Sequence, residues 1–225
     1  MSAIASSPAP RTLAALGGEL AATVDVLRRV TVQVRTRGPG IGAGVVWDGA
    51  GLVITNAHVA RGDRATIEFW DGAVAEAPVI ARDRERDLAA LRFEGASSTG
   101  AAVLGDPRRL RVGDFVIAVG HPSGDVGAAS VGVIHVLDTT ANGAAPRWIC
   151  ADLRLAPGYS GGPLADAAGR VLGINTMIDG GLALAVPASA VAAFLAHAVG
   201  ASVAPVRHPR RGVPGRGARV RERRP

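Results

Sequence analysis

The sequence predicts an all-β fold, a barrel or a sandwich, with one helix at each end. Three observations carry this. Short Val-, Ile- and Leu-rich runs recur every eight to twelve residues, divided by Gly, Pro and Asp. The chain is 48% hydrophobic but only 4% aromatic, so its core must be assembled from small aliphatic side chains. Helical periodicity, in contrast, is confined to the two ends. With 20% charged residues the composition excludes wholesale disorder.

The elements follow in order. Residues 1–10 form a Pro-containing leader. Leu13, Leu16, Leu20, Val24 and Leu27 then recur at helical spacing, weakened by Gly17 and Gly18. The strand candidates begin with VTVQV (30–34), GVVW (44–47), GLVIT (51–55), ATIEFW (65–70) and DLAALRF (87–93). They continue with DFVIAVG (114–120), SVGVIHVL (130–137), RWICADLRL (147–155), RVLGINTMI (170–178) and GLALAV (181–186). Trp47-Asp48-Gly49-Ala50-Gly51 reads as a hairpin turn. GPGIGAG (38–44) leads into a strand rather than a helix, so it reads as a loop and not as a dinucleotide cradle. A change of texture at GDPRRLRVGD (105–114) divides the β region into units 30–110 and 111–200, without a close internal repeat. Pro187 opens PASAVAAFLAHAVG, a closing helix, and residues 201–225 read as a basic disordered tail.

Charge is unevenly spread. Every basic residue is Arg, and the formal net charge is +6. The last nineteen residues hold eight Arg and one Glu, which leaves residues 1–206 at about −1. Such a tail can meet nucleic acid or an anionic surface by charge, but it lacks aromatics for base stacking, and a solvated tail is the simpler reading. A single cysteine, Cys150, excludes an intrachain disulfide and is expected to be a small buried hydrophobe. The opening MSAIASSPAPRTLAAL has no positive segment before an apolar one, which predicts a cytoplasmic location. Gly180 to Val206 is uncharged, yet it is mostly Ala and is divided by Pro187 and Gly200. It reads as strand then helix, not as a membrane span.

The chemistry concentrates in three places. APGYSGGPL (156–164) holds Ser160 in a glycine-dense loop, where backbone N–H groups can converge on a developing oxyanion. By itself this loop reads equally as a tight turn. GLVITNAHVA (51–60) places His58 just past an apolar strand, where it can face a cleft. His121, His135, His197 and His208 take the blander structural or surface reading. DRERDLAALRF (83–93) puts Asp87 at a strand entry, a better orienter of an imidazole than the more exposed Asp83. No Cys/His cluster has zinc spacing.

Together TNAHV, RDLAAL, PGYSGGPL with GRVLGIN, and GLALAVP resemble the trypsin-like serine peptidases of the HtrA/Deg type, over roughly residues 30–200. The order His58, Asp87, Ser160 is that of chymotrypsin-type enzymes. The resemblance implies two six-stranded antiparallel β-barrels with a cleft between them, His58 and Asp87 on the first and Ser160 on the second. It implies a serine endopeptidase acting through a Ser-His-Asp triad and an acyl-enzyme, with no cofactor or metal, and with the Gly158 and Ser160 amides as oxyanion hole. Protein or peptide substrates are its implied partners.

Departures are visible as well. Tyr159 stands where Asn or Asp is usual. Leu182, Ala183 and Leu184 fall at the substrate-pocket wall, with Ala183 where Gly is commoner, which narrows the pocket toward small aliphatic residues. Arg154 falls near the pocket floor; pointing inward it would admit an acidic residue, while the plainer reading is a strand-face Arg beside Asp152. With 25 residues after Gly200, no PDZ domain of the kind common in this branch is expected in this sequence. The N-terminal helix is similar to segments that join related enzymes into oligomers. A competing class is a weakly active or non-catalytic binding or sensor module with an anion-binding tail; the intact triad favours the enzyme.

Overall fold

The computed structural model describes residues 13–37, 40–95, 100–138 and 145–200. The leader, the tail with His208, and Gly38 and Pro39 of the glycine-rich loop lie outside the described residues. Helix α1 (Leu13–Val30) precedes six strands: β1 (Thr31–Arg35), β2 (Ile41–Val46), β3 (Leu52–Thr55), β4 (Arg64–Glu68), β5 (Val74–Asp83) and β6 (Leu88–Arg92). Six more follow: β7 (Phe115–Gly120), β8 (Ala128–Asp138), β9 (Trp148–Asp152), β10 (Pro163–Asp166), β11 (Val171–Asp179) and β12 (Leu182–Pro187). Helix α2 (Ala188–Gly200) closes the described chain.

Each set of six closes into an antiparallel barrel. The first runs β1-β2-β3-β6-β5-β4, and the second, read around its ring, runs β7-β8-β9-β12-β11-β10. The two rings therefore repeat one strand order, although the sequence shows no repeat. Pairing of β1 with β4 closes the first ring and of β7 with β10 the second. Closure removes the open edges on which strands aggregate.

Alternation along the strands builds two interiors and the seam between them. In β2 and β3, Val46 and Val53 point into the first barrel, while Val45 and Ile54 point into the seam. In β7, Val116 and Ala118 fill the second barrel, and Ile117 and Val119 meet the seam. A side-chain period of two makes this possible, and strands buried on both faces explain the continuous apolar runs. The interiors are narrow, so Val, Ala and Leu suffice; the Phe69–Phe93 edge contact at 5.0 Å is a rare aromatic pair.

Both helices cap the seam. Val24 and Leu27 of α1 and Val191 and Phe194 of α2 are buried in it. The apolar stripe of α1 is only half used, because Leu16 is 53% exposed one turn above the packing face. The Asp48 carboxylate accepts from the Ala50 and Leu52 amides and fixes the expected β2–β3 hairpin. The stretch after Gly180 is strand and helix, and no helix among the described residues is long and apolar enough to cross a membrane. Cys150 departs from the buried expectation. It is half-buried on β9, and desolvation, with the charges of Asp138 and Asp179, pushes its thiol pKa up.

Two strands have no counterpart in the sequence reading. β5 carries Pro78 and is half-buried along most of its length, with only Ala77 fully buried, so its burial follows no clean alternation. β10 is four residues long, too short to show a period.

Candidate active site

His58 sits on the turn that follows β3. The Val59 and Ala60 amides donate to the Asn56 carbonyl, which winds the chain tightly enough to swing the imidazole into the inter-barrel cleft. The Asn56 side-chain amide and the Ala57 amide both donate to the Asp87 carbonyl, at 2.9 and 3.2 Å. The His58 turn and the Asp87 turn are therefore one rigid unit.

Asp87 holds φ at +55°, the left-handed region that Asp tolerates better than bulkier residues do. That conformation aims its carboxylate at three donors. The His58 amide donates to Oδ1 at 2.9 Å, the His58 Nδ1–H to Oδ2 at 2.7 Å, and the Thr176 hydroxyl to Oδ2 at 2.5 Å. Burial alone would raise this pKa. The bonds from the His58 ring, the Thr176 hydroxyl and the His58 amide outweigh it and hold the carboxyl below its usual value. An ionised Asp87 at Nδ1 assigns that ring proton and leaves Nε2 as a free acceptor. Asp83 instead caps its own turn, accepting from the Glu85 and Arg86 amides and pairing with Arg86.

Ser160 is held by the loop before β10. Gly158 has φ +111°, and a Cβ there would meet the His121 carbonyl oxygen at 2.4 Å; Gly161 has φ +87°, and a Cβ would meet the Ala43 oxygen at 2.1 Å. Only glycine fits either place. The Ala43 amide donates to the Ser160 carbonyl at 2.8 Å, which ties the loop of the second barrel to β2 of the first. Within the loop the Tyr159, Gly161 and Gly162 amides all donate to protein carbonyls. Among the described residues the Gly158 and Ser160 amides do not.

His58 and Ser160 line one cavity of about 320 Å³, together with Gly42, Val59 and Pro157. The Ser160 hydroxyl, however, donates to the Thr176 carbonyl at 3.0 Å and not to His58. The structure thus brings His58 to Asp87 directly, and brings Ser160 to the same cavity with its hydroxyl turned to β11. Thr176 touches both Asp87 and Ser160, and sequence reasoning misses it. In sequence it is a hydroxyl inside an apolar run, with no motif to mark it.

The other candidates fall as follows. Tyr159 is buried in the second-barrel core, where its Cα and ring crowd Gly120, and burial raises its pKa. Ala183 is buried in that same core, and Leu182 and Leu184 are half-buried on either side. Arg154 is exposed just past β9, next to the buried Leu153, and among the described residues it makes no ion pair to Asp152.

His135 and His197 are exposed. His121 is buried, and desolvation pushes its pKa down. Its amide donates to the Gly158 carbonyl, and its Nδ1 accepts from the Gly127 amide. It is therefore part of the scaffold of the Ser160 loop. No group of three or more His, Cys, Asp and Glu among the described residues is placed to hold a metal ion.

Comparison with known proteins agrees with this fold. Residues 42–174 match the family model described as the trypsin-like peptidase domain. The serine protease Do-like HtrA of Lactobacillus helveticus is 36% identical over 168 residues, covering 67% of this chain and 41% of that protein. The serine protease HTRA1A of Danio rerio is 29% identical over 180 residues, covering 77% of this chain and 38% of its own length. A solved structure of the HtrA-type protease AlgW with tripeptide superposes with a TM-score of 0.70 at 29% identity, over 77% of this chain and 61% of that one. The chain spans about two fifths or less of the curated relatives' lengths.

Proposed function

The chain belongs to the trypsin-like peptidases of the HtrA type, and from that premise we propose that it is a serine endopeptidase hydrolysing protein substrates through an acyl-enzyme. The observation that carries this reading is the Asp87–His58 pair at 2.7 Å opening on the cavity that also holds Ser160. The reaction follows from the roles. Asp87 stays ionised and keeps the His58 proton on Nδ1, so that Nε2 can accept. Rotation of the Ser160 side chain between staggered wells, a fast motion in a half-buried residue, takes its hydroxyl from the Thr176 carbonyl toward Nε2.

Ser160 then attacks the scissile carbonyl while His58 takes its proton, and the Gly158 and Ser160 amides receive the oxyanion. His58 protonates the leaving amine, whose C–N bond breaks. Water, deprotonated by His58, releases the acyl group and restores the hydroxyl. A preference for a small aliphatic residue before the scissile bond rests on the sequence resemblance, because Ala183 itself is packed in the second-barrel core.

The test is proteolysis. Incubated with an unfolded protein, the chain is expected to cut internal peptide bonds, and a fluorophosphonate is expected to stop it. A folded protein that leaves such a substrate intact would sink the reading. A second reading, a weakly active binding or sensor module, draws support from the Ser160 hydroxyl resting on Thr176. Contact of residues 207–225 with nucleic acid or an anionic surface would belong to it and would weaken steeply with salt. A homo-oligomer joined through the exposed Leu16 and Val26 of α1 is compatible with either reading. Small-angle scattering would give more than one chain's mass if it forms, and a monomeric mass would exclude it.

A further inference from the structure

We infer that the cleft selects substrates with an acidic residue within the first few positions on the leaving-group side of the scissile bond, read by Arg37 and Arg61. This rests on the endopeptidase reading above and names the substrate class of that site.

Two cavities meet at His58, and arginines line both. The first, which contains Ser160, is also lined by Arg37 and Arg61. The second, about 420 Å³ beside Asp87, is lined by Arg61, Arg82 and Arg84. Little opposes this charge. The Asp87 carboxylate is taken by His58 and Thr176. Exposed Asp63 stands 4.0 Å from Arg82. Among the described residues Arg37, Arg61 and Arg84 make no ion pair.

The arginines are not equivalent. Arg82 gives its Nε to the Ala60 carbonyl and a terminal nitrogen to the Gly62 carbonyl, so it braces the turn beneath the cavities. Arg61 gives only its Nε, to the His58 carbonyl at 2.8 Å. That bond anchors the guanidinium beside the imidazole and leaves both terminal nitrogens for a carboxylate. Arg37 is exposed at the other rim of the same cavity.

Chemistry sets which half of the substrate they meet. The acyl half stays on Ser160, with its carbonyl oxygen at the Gly158 and Ser160 amides, alongside Thr176 of β11. The leaving half departs past His58, which protonates its amine, into the cavity between Ile41 and Arg61. That cavity contains no β11 residue. A Glu or Asp on the departing half therefore approaches two arginines, whose planar forks match a carboxylate.

Exposed ion pairs are individually weak, so two of them favour Glu over Lys by roughly three- to thirty-fold in kcat/KM. The contact is equal in ground and transition states, so the difference appears in KM rather than kcat. Salt screens it.

The test uses the full chain on matched quenched peptides, with Glu, Gln or Lys at each of the three positions after the cleaved bond, or before it. The expected order is Glu, then Gln, then Lys for positions after the bond, with no order before it. In Arg37→Gln/Arg61→Gln the order collapses while the Gln peptide is still cleaved. If that variant fails to fold, the wild type is compared between about 0.05 M and 0.5 M salt, where the preference should flatten. Cleavage with equal kcat/KM for Glu and Lys overturns the inference and leaves the endopeptidase reading standing. The same preference surviving in the double variant also overturns it. Cleavage of none of the peptides or of unfolded protein overturns both.

Discussion

Replacing Ser160 with Ala is expected to lower kcat for peptide hydrolysis by roughly 10⁴- to 10⁶-fold, with KM little changed. The size follows from what is removed. The hydroxyl oxygen is the atom that becomes covalently bonded to substrate, while the cavity and the Gly158 and Ser160 amides, unpaired among the described residues, remain to bind it. Residual hydrolysis should then be what oxyanion stabilisation alone provides. The fold should survive, because among the described residues the hydroxyl bonds the Thr176 carbonyl alone, at 3.0 Å, and the loop is held by backbone bonds from Ala43, His121 and Asn175. Progress curves on an unfolded protein substrate, with a thermal melt of each protein, check both parts. A variant that keeps more than about a tenth of wild-type turnover would contradict the assignment.

Asp87→Asn is expected to cost roughly 10⁴-fold in kcat with the backbone undisturbed. Asn accepts the left-handed φ of +55° as readily as Asp, so the turn has no reason to move. The change is in protons. An amide NH₂ facing His58 Nδ1 makes that nitrogen the acceptor and moves the ring proton to Nε2, which can then no longer accept from Ser160. Nitrogen-15 spectra of the His58 ring read the tautomer, and kinetics read the loss.

The same substitution has a pH signature. The Asp87 pKa is lower in the folded chain than in the unfolded one, where it is near 3.8. Its ionised form therefore stabilises the fold at all pH values above 3.8, and that contribution disappears as pH falls through the folded value. Acid unfolding of the wild type should include this loss, and Asp87→Asn should lack it. An identical acid profile in both proteins would count against the pair.

Much of this arrangement is legible in the amino-acid sequence, and the exceptions have physical reasons. The apolar runs carrying Val45, Ile54 and Leu91 are buried on both faces, and so they stand out. β5 is half-buried along most of its length and carries Pro78, and β10 is a four-residue remnant after the glycine loop; neither carries a clear period. His58, Asp87 and Ser160 sit in short motifs because each needs a particular turn around it. Thr176 works through a carbonyl and a hydroxyl that reaches a residue 89 positions away, a relation that no local pattern encodes. Arg154 is placed near a pocket floor only by its distance from Ser160 along the chain, which says nothing of the direction its side chain takes. Arg37 and Arg61 have the sequence context of ordinary loop charges, and only the folding of the first barrel places them on one cavity.

The most direct test is to treat the folded chain with a fluorophosphonate and map the modified residue by peptide mass. A single phosphonyl group on Ser160, lost in His58→Ala, is the predicted result. A folded chain that stays unmodified, or that reacts elsewhere with Ser160 untouched, would contradict it.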